Sequence, residues 1–420
     1  AACGQQLAHA LERAELALAG YEQPALEAAS ADALVLASPG TIEHRLALGL
    51  RACACARAGH SAEAEPLLDA LRSALAAAAP TVDRLTSWNH LTVALHHLGR
   101  VPELVQALET LRVLAHEAGH VELEASALAS LSGQRVALGD NDRSLADGRS
   151  AGVLMRRIGT PHLAVLNDLN LVVALIGSYE LAEALELSAA AAAHLASASP
   201  GSDLPQIVTD LRTDAWLRLG EAAQARAELD AAPPADLQPV RRLHRLGLRW
   251  RVLAAVGQPD AAQSLVAPMR DALQAAAVGG VWMRAAMLMA EHHGPGEDAW
   301  RWIGRIESAA RASAMPAGQA LAEQVSLRLH LRAGDADRAL EHARRLADLR
   351  PRARHLYVDE VELVDDVGTA LAAAGRADEA QAWREQGRSW ALATIEPRLP
   401  PSHRGSWRAR APVARLLGGP

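Results

Sequence analysis

The 420-residue chain has no phenylalanine and no lysine, and only three tyrosines and three cysteines. Without lysine there is no P-loop lysine, no strand lysine of a protein kinase and no amine for a Schiff base. Walker-type ATP hydrolysis, protein-kinase chemistry and pyridoxal-phosphate chemistry are therefore excluded within this chain. Cys3, Cys53 and Cys55 form no CxxC pair, and their odd number argues against a disulfide framework and for a reducing, cytoplasmic compartment. No apolar run reaches the roughly 18 residues that span a bilayer, so no membrane partner is expected. The net charge of −7 supplies no global basic field, and no nucleic-acid partner is expected. The chain does not begin with Met and reads as a piece of a longer polypeptide.

Alanine, leucine and valine make up most of the hydrophobic residues, with nine tryptophans as the main large rings. Alanine has the highest helix propensity and lets helices pack closely. No stretch alternates with the period of two that a half-buried strand requires. The chain is expected to be almost wholly α-helical.

A repeat runs through it. A small or apolar residue, then Gly, then a small residue five positions later recurs at Gly20/Ala25, Gly59/Ala64, Gly220/Ala225, Gly257/Ala262, Gly334/Ala339 and Gly375/Ala380. Looser copies lie at Gly99, Gly139 and Gly177, and a degenerate one at Gly296. Successive glycines are 37 to 43 residues apart, which makes ten units. Each Gly follows a helical stretch and can take the left-handed conformation that ends a helix cheaply. A second helix follows, and the small residue lets it cross close to the first. Such a hairpin cannot bury its apolar face alone, and stacked hairpins can. Further breakers fall between units, among them Gly119, Gly159, Pro200-Gly201, Pro233-Pro234, Gly279-Gly280, Pro316 and Pro351.

This Gly-and-Ala pattern between paired helices resembles the tetratricopeptide repeat over about residues 5–390, with longer units than the usual 34 or so residues and few of its aromatics. Long units of this kind resemble the helical regions of large bacterial regulators: STAND-type ATPases, LuxR-like and maltose-regulator-like activators, and cyclase- or kinase-linked relatives. The closing stretch from Leu399-Pro-Pro to Arg410-Ala-Pro-Val-Ala-Arg415 resembles the end of such regions. The fold expected is all-α, a right-handed α-solenoid of about ten hairpins over 1–390 with a C-terminal cap or tail over 391–420. The resemblance implies a non-enzymatic regulatory region that needs no cofactor. It would hold a protein or peptide partner, including the parent protein's own catalytic domain, on a concave face lined by the first helix of each unit.

Ten residues before the repeat Gly, that face would carry Asn89, Asn167, Asp210, Gln324 and Asp365. One turn further on it would carry Asp214, Arg251 and Arg328. These side chains are expected either to form a hydrogen-bonding strip for a partner or to be simply solvated. Trp250 and Trp282, with the neighbouring methionines, are read either as a pocket for a small-molecule effector or as core in place of phenylalanine. His116-Glu-Ala-Gly-His120 is a literal HExxH string and the basis of a zinc metallohydrolase alternative. The repeat register opposes it, because Gly119 is expected to end a helix and to separate the two imidazoles. The arginines of the tail are read as solvated.

Overall fold

The structure, a computed structural model, describes residues 2–20, 22–77, 82–198, 204–231, 237–276, 278–313 and 315–418. The Pro200-Gly201 and Pro233-Pro234 breakers lie outside the described residues. The fold is all-α and of the solenoid class. No strand forms among the described residues, where a single antiparallel bridge joins His355 and Val358. No helix among them is long and apolar enough to cross a membrane.

The helices come as antiparallel pairs. The first four pairs are α1 (Ala2–Ala19) with α2 (Gln23–Leu36), α3 (Ile42–Arg57) with α4 (Ser61–Ala77), α5 (Val82–His97) with α6 (Val101–Glu117), and α7 (Val121–Ala137) with α8 (Asn141–Arg157). Next come α9 (Pro161–Gly177) with α10 (Leu181–Ala198) and α11 (Leu204–Leu219) with α12 (Ala222–Ala231). In the following pair α13 (Pro239–Ala255) meets a broken second helix, α14 (Pro259–Gln263) and α15 (Val266–Ala275). The last pairs are α16 (Gly280–His293) with α17 (Glu297–Ser313), α18 (Pro316–Arg332) with α19 (Ala336–Leu349), and α20 (Glu360–Ala373) with α21 (Ala377–Trp390). Two short helices, α22 (Arg404–Ala409) and α23 (Ala411–Leu417), end the chain.

The chain forms two compact units, Ala1–Gln134 with Ser150–Gly159 and Arg135–Arg149 with Thr160–Pro420. In the first, α3 packs on α4 and α5, and Leu68, Leu71, Leu91, Leu95 and Leu111 fill the space between the hairpins. In the second, the first helices α9, α11, α13, α16, α18 and α20 each pack on the next. The two largest buried clusters of this unit centre on Leu175, Leu219 and Trp407 and on Trp282, Met283 and Leu327. Each fully buried leucine contributes about 2 kcal/mol of hydrophobic stabilisation. No lone hairpin could collect enough of them, which is why the repeats must stack.

The turns follow the sequence register at most units. Gly59, Gly99, Gly139, Gly220, Gly257, Gly334 and Gly375 have φ between +68° and +81°. The N–H of the next residue then reaches back to a carbonyl five positions earlier, as Arg100 does to Leu95 and Arg376 to Leu371. At three units the sequence register needs correction, the first being Gly20, which does not take a left-handed φ. Gly177 is the last residue of α9, and the left-handed position is taken by Tyr179 (φ 60°), with Glu180 N–H bonded to Leu175 C=O. In the eighth unit Gly294, not Gly296, is left-handed. The second-helix ends behave as expected: α6 stops at Glu117 and Gly119 has φ +68°. His116 and His120 thus lie on opposite sides of a turn, and His116 Nδ1 sits 3.0 Å from Glu124 Oε1.

One link is unlike the rest. Between α19 and α20 the chain makes a single 3₁₀ turn, Arg350–Arg352, and then runs without helix to Asp359. Ala353, His355, Leu356, Val358 and Asp359 are all buried. The tail is also part of the unit rather than an appendage, since Trp407, Val413 and Leu416 join the same cluster as Leu175 and Leu219.

Candidate functional site

Most of the polar positions read from the sequence find partners within the stack. Asp210 on α11 accepts two bonds from Arg245 on α13, at 3.1 and 3.2 Å. Asp214, one turn on, binds Arg251, with His244 Nε2 at 3.7 Å and Arg284 of α16 at 4.0 Å. Burial alone would raise the Asp214 pKa, but Arg251, His244 and Arg284 together hold it well below the usual carboxylate range. Arg328 on α18 reaches Glu291 of α16 at 2.7 Å and both Glu362 (3.1 Å) and Asp366 (2.8 Å) of α20. Gln324 donates to the same Asp366 at 2.7 Å, and Asp365 accepts from Arg415 of the tail. The strip is a set of charge pairs that ties α11 to α13 and α16, and α18 to α16 and α20, neither solvated nor vacant.

Four of the predicted positions fall elsewhere. Asn167 was placed by the Gly177 register; with the turn at Tyr179 it shifts off the strip, and its side chain donates to the Gly148 carbonyl of α8 at 2.8 Å. Asn89 lies in the other unit, half-buried on α5. Trp282 is core: it is fully buried, its indole N–H donates to Leu273 C=O at 2.9 Å, and Arg305 stacks on its ring. Trp250 packs half-buried against the same core, edge-on to His292 with 5.4 Å between ring centres.

The sequence reading missed the link Arg350–Asp359, which lies along this unit as non-helical backbone and turns at Leu356–Tyr357, where Val358 N–H bonds to His355 C=O at 3.1 Å. Arg218, at the end of α11, donates to the carbonyls of His355 (3.0 Å), Leu356 (3.0 Å) and Val358 (2.7 Å). Arg284 of α16 donates to the Leu356 carbonyl as well, at 2.8 Å. Planar guanidinium forks suit this task, since each offers several fixed donors and is never neutral at ordinary pH. The Asp359 carboxylate closes the link. It accepts from the Tyr179 hydroxyl and from Arg410 of the tail, and caps α20 through the Val361 and Glu362 N–H groups. Burial opposes its charge, but Arg410, Arg218 and the Tyr179 bond outweigh burial and keep its pKa low. Tyr179 also stacks under Arg218, 5.1 Å from ring centre to guanidinium carbon. A left-handed non-glycine residue costs about 1 kcal/mol, and here it sits where its ring joins the repeat to the link.

Glycines give the link room. A Cβ on Gly139 would stand 1.8 Å from the Arg352 carbonyl oxygen, one on Gly280 would stand 2.2 Å from the Tyr357 ring, and one on Gly177 would stand 3.3 Å from the His355 backbone. His355 is held neutral: burial first, then the charges of Arg218 and Arg284, lower its pKa from 6.5 to about 3. Its Nδ1 accepts the Tyr357 N–H at 3.2 Å, which fixes the proton on Nε2. Burial and the nearby Asp214 charge push the Tyr357 phenol up to about 12.

Beside the link two spaces remain. One, of about 20 Å³, lies among Asp214, His244, Arg251, Arg284 and Tyr357 and has room for a single water. The other, of about 420 Å³, opens between α9, α11 and the start of α13, with Leu356 and Tyr357 of the link as part of its wall.

These features define an all-α protein of TPR-like helix hairpins with a non-helical turn of its own chain held on the first helices. Among solved structures the chain is similar to the apo form of the quorum sensor NprR from B. thuringiensis, with a TM-score of 0.56 and 16% identity, covering 82% of this chain and 99% of that one. It is similar to NprR in complex with its cognate peptide NprX (TM-score 0.52, 16% identity, 82% and 97% covered). It is also similar to a Rap protein complexed with competence and sporulation factor (TM-score 0.52, 11% identity, 93% and 99% covered). No protein-family profile and no curated protein matches the sequence. At these identities the likeness establishes a common fold.

Proposed function

We propose that the chain is a non-enzymatic regulatory repeat region of a bacterial signalling or transcription regulator. It works in the cytoplasm and binds an extended peptide or protein segment along the first helices of the unit containing α9 to α21. One observation carries this reading: the same helices already hold a non-helical piece of backbone, the turn His355–Val358, through arginine-to-carbonyl bonds. Recognition of carbonyls needs no particular sequence, so the chemistry that seats this segment can seat another. Asp210, Asp214 and Arg251 would fix the spacing of the helices around the bound segment. The NprR and Rap structures lend support, because proteins of this fold are seen there with a peptide and with a sporulation factor. A small-molecule effector is the second reading, and the 420 Å³ cavity favours it, since its size falls in the range of ordinary ligand pockets.

Selection of a displayed random-peptide library against the full chain tests the first reading. Enriched peptides are expected to bind saturably. Asn170→Trp, an exposed position on the cavity rim, is expected to weaken them about tenfold or more without changing the thermal midpoint. No saturable peptide, or equal affinity in the variant, contradicts the assignment.

A further inference from the structure

We propose that the cavity between α9, α11 and α13 takes an apolar carboxylate, with Arg241 receiving the carboxylate group and the aliphatic wall receiving the body. This deepens the proposed function and rests on it for the placing of the site. The wall is built from Leu166, Leu169, Val173, Leu204, Ile207 and Leu356. Three ionisable side chains other than Tyr357 face it: Asp210, Arg241 and His244. Asp210 is committed to both donors of Arg245, and His244 stands against Asp214. Arg241 alone has no hydrogen bond and no carboxylate within ion-pair distance among the described residues. Of the other arginines on the surrounding helices, Arg242 and Arg249 are exposed and do not line the cavity, while Arg218 and Arg284 engage the carbonyls of the link, Arg245 and Arg251 aspartates, and Arg328 three acids.

The position of Arg241 sharpens the point. It lies in the first turn of α13 beside Arg242, and that turn carries no acidic residue and no side-chain cap. Cations at a helix N-terminus face the positive end of the macrodipole and are disfavoured. An anion set there is attracted by both the guanidinium and the helix end. One uncommitted guanidinium in an aliphatic wall matches a monoanion with an oily body. A dianionic phosphate would call for a second cation in the wall, whereas Arg241 is the one arginine in the lining and its neighbour Arg242 is exposed outside it. Two sources share this chemistry: the C-terminal carboxylate of a peptide ending in an aliphatic residue, and a free medium-chain fatty acid.

Titration calorimetry of the full chain with N-acetyl-Leu-Leu, its C-terminal amide and decanoate distinguishes them. The free acid of the dipeptide is expected to bind about tenfold or more tighter than the amide. Arg241→Gln is expected to abolish the difference and Arg241→Lys to restore part of it. Decanoate binding that depends on Arg241, with no dipeptide binding, supports the carboxylate site while removing the peptide reading. The carboxylate site is overturned if neither acid binds, or if Arg241→Gln leaves their affinities unchanged. Library-selected peptides that bind equally as acids and amides overturn it too, and leave the peptide reading standing.

Discussion

Arg218→Leu is expected to destabilise the unit containing it by about 3–5 kcal/mol, read as a fall in the urea midpoint at constant slope. The guanidinium is fully buried and serves the carbonyls of His355, Leu356 and Val358. Leucine fills part of the volume but donates nothing. Arg284 still reaches the Leu356 carbonyl and the Val358 N–H still bonds the His355 carbonyl, so the Val358 carbonyl is the one that loses its donor outright. The variant also withdraws positive charge from Asp359, which is buried with its own charge intact. A buried carboxylate that loses a compensating cation adds to the cost. The contrast is Arg301→Leu on α17, whose partners Glu297 and Asp298 are exposed like itself. Surface pairs of that kind contribute at most about 1 kcal/mol. Equal effects from the two substitutions would mean that Arg218 does not hold the link.

The second large effect is in pH. The folded pKa of His355 lies near 3 and its unfolded value near 6.5. Below pH 6.5 the unfolded chain takes up a proton that the folded chain refuses, so stability falls as pH drops through this window. Below about 3 both states are protonated and the slope ends. Two units of pH, from 6.5 to 4.5, are expected to remove about 2 kcal/mol through this group. Asp214 and Asp359 have depressed folded values, so their stabilisation is complete above the unfolded carboxylate range and is lost only below about pH 4. They do not contribute in the histidine window. His97, His292 and His330 shift in the same direction as His355 and add to the slope, each lowered first by burial. His355→Asn isolates the term, because the amide oxygen can accept the Tyr357 N–H and does not titrate. The variant is expected to show a markedly flatter dependence between pH 6.5 and 4.5, and an unchanged slope would refute the buried neutral imidazole.

The repeat was legible because its signals are local. Gly99, Gly139, Gly257, Gly334 and Gly375 mark turns whose geometry is decided within six residues of chain. The register failed at Gly177 because a glycine two positions before the true turn hid a left-handed tyrosine. Tyr179 is tolerated there for a reason no local pattern carries, namely its bond to Asp359 far along the chain. The charged positions Asp210, Asp214, Arg251 and Arg328 could be found by spacing. Their pairing across helices could not, because partners such as Arg245 and Asp366 lie one repeat away. The link itself left almost no trace. Its sequence, Arg350-Pro-Arg-Ala-Arg-His-Leu-Tyr-Val-Asp359, looks like one more inter-repeat breaker. The one available hint was that two of only three tyrosines, Tyr179 and Tyr357, fall where the repeats are least regular.

The central claim, that residues 350–359 lie seated against the repeats, is tested most directly at Gly139. Alanine at the left-handed Gly257 (φ +73°) meets no atom within 4 Å and is expected to cost about 1 kcal/mol of backbone strain. Alanine at Gly139 (φ +78°) bears the same strain and also collides with the Arg352 backbone carbonyl. Measured by urea unfolding, Gly139→Ala is expected to cost at least about 2 kcal/mol more than Gly257→Ala, the penalty of overpacking against backbone. Equal costs for the two glycines would show that the link does not lie there.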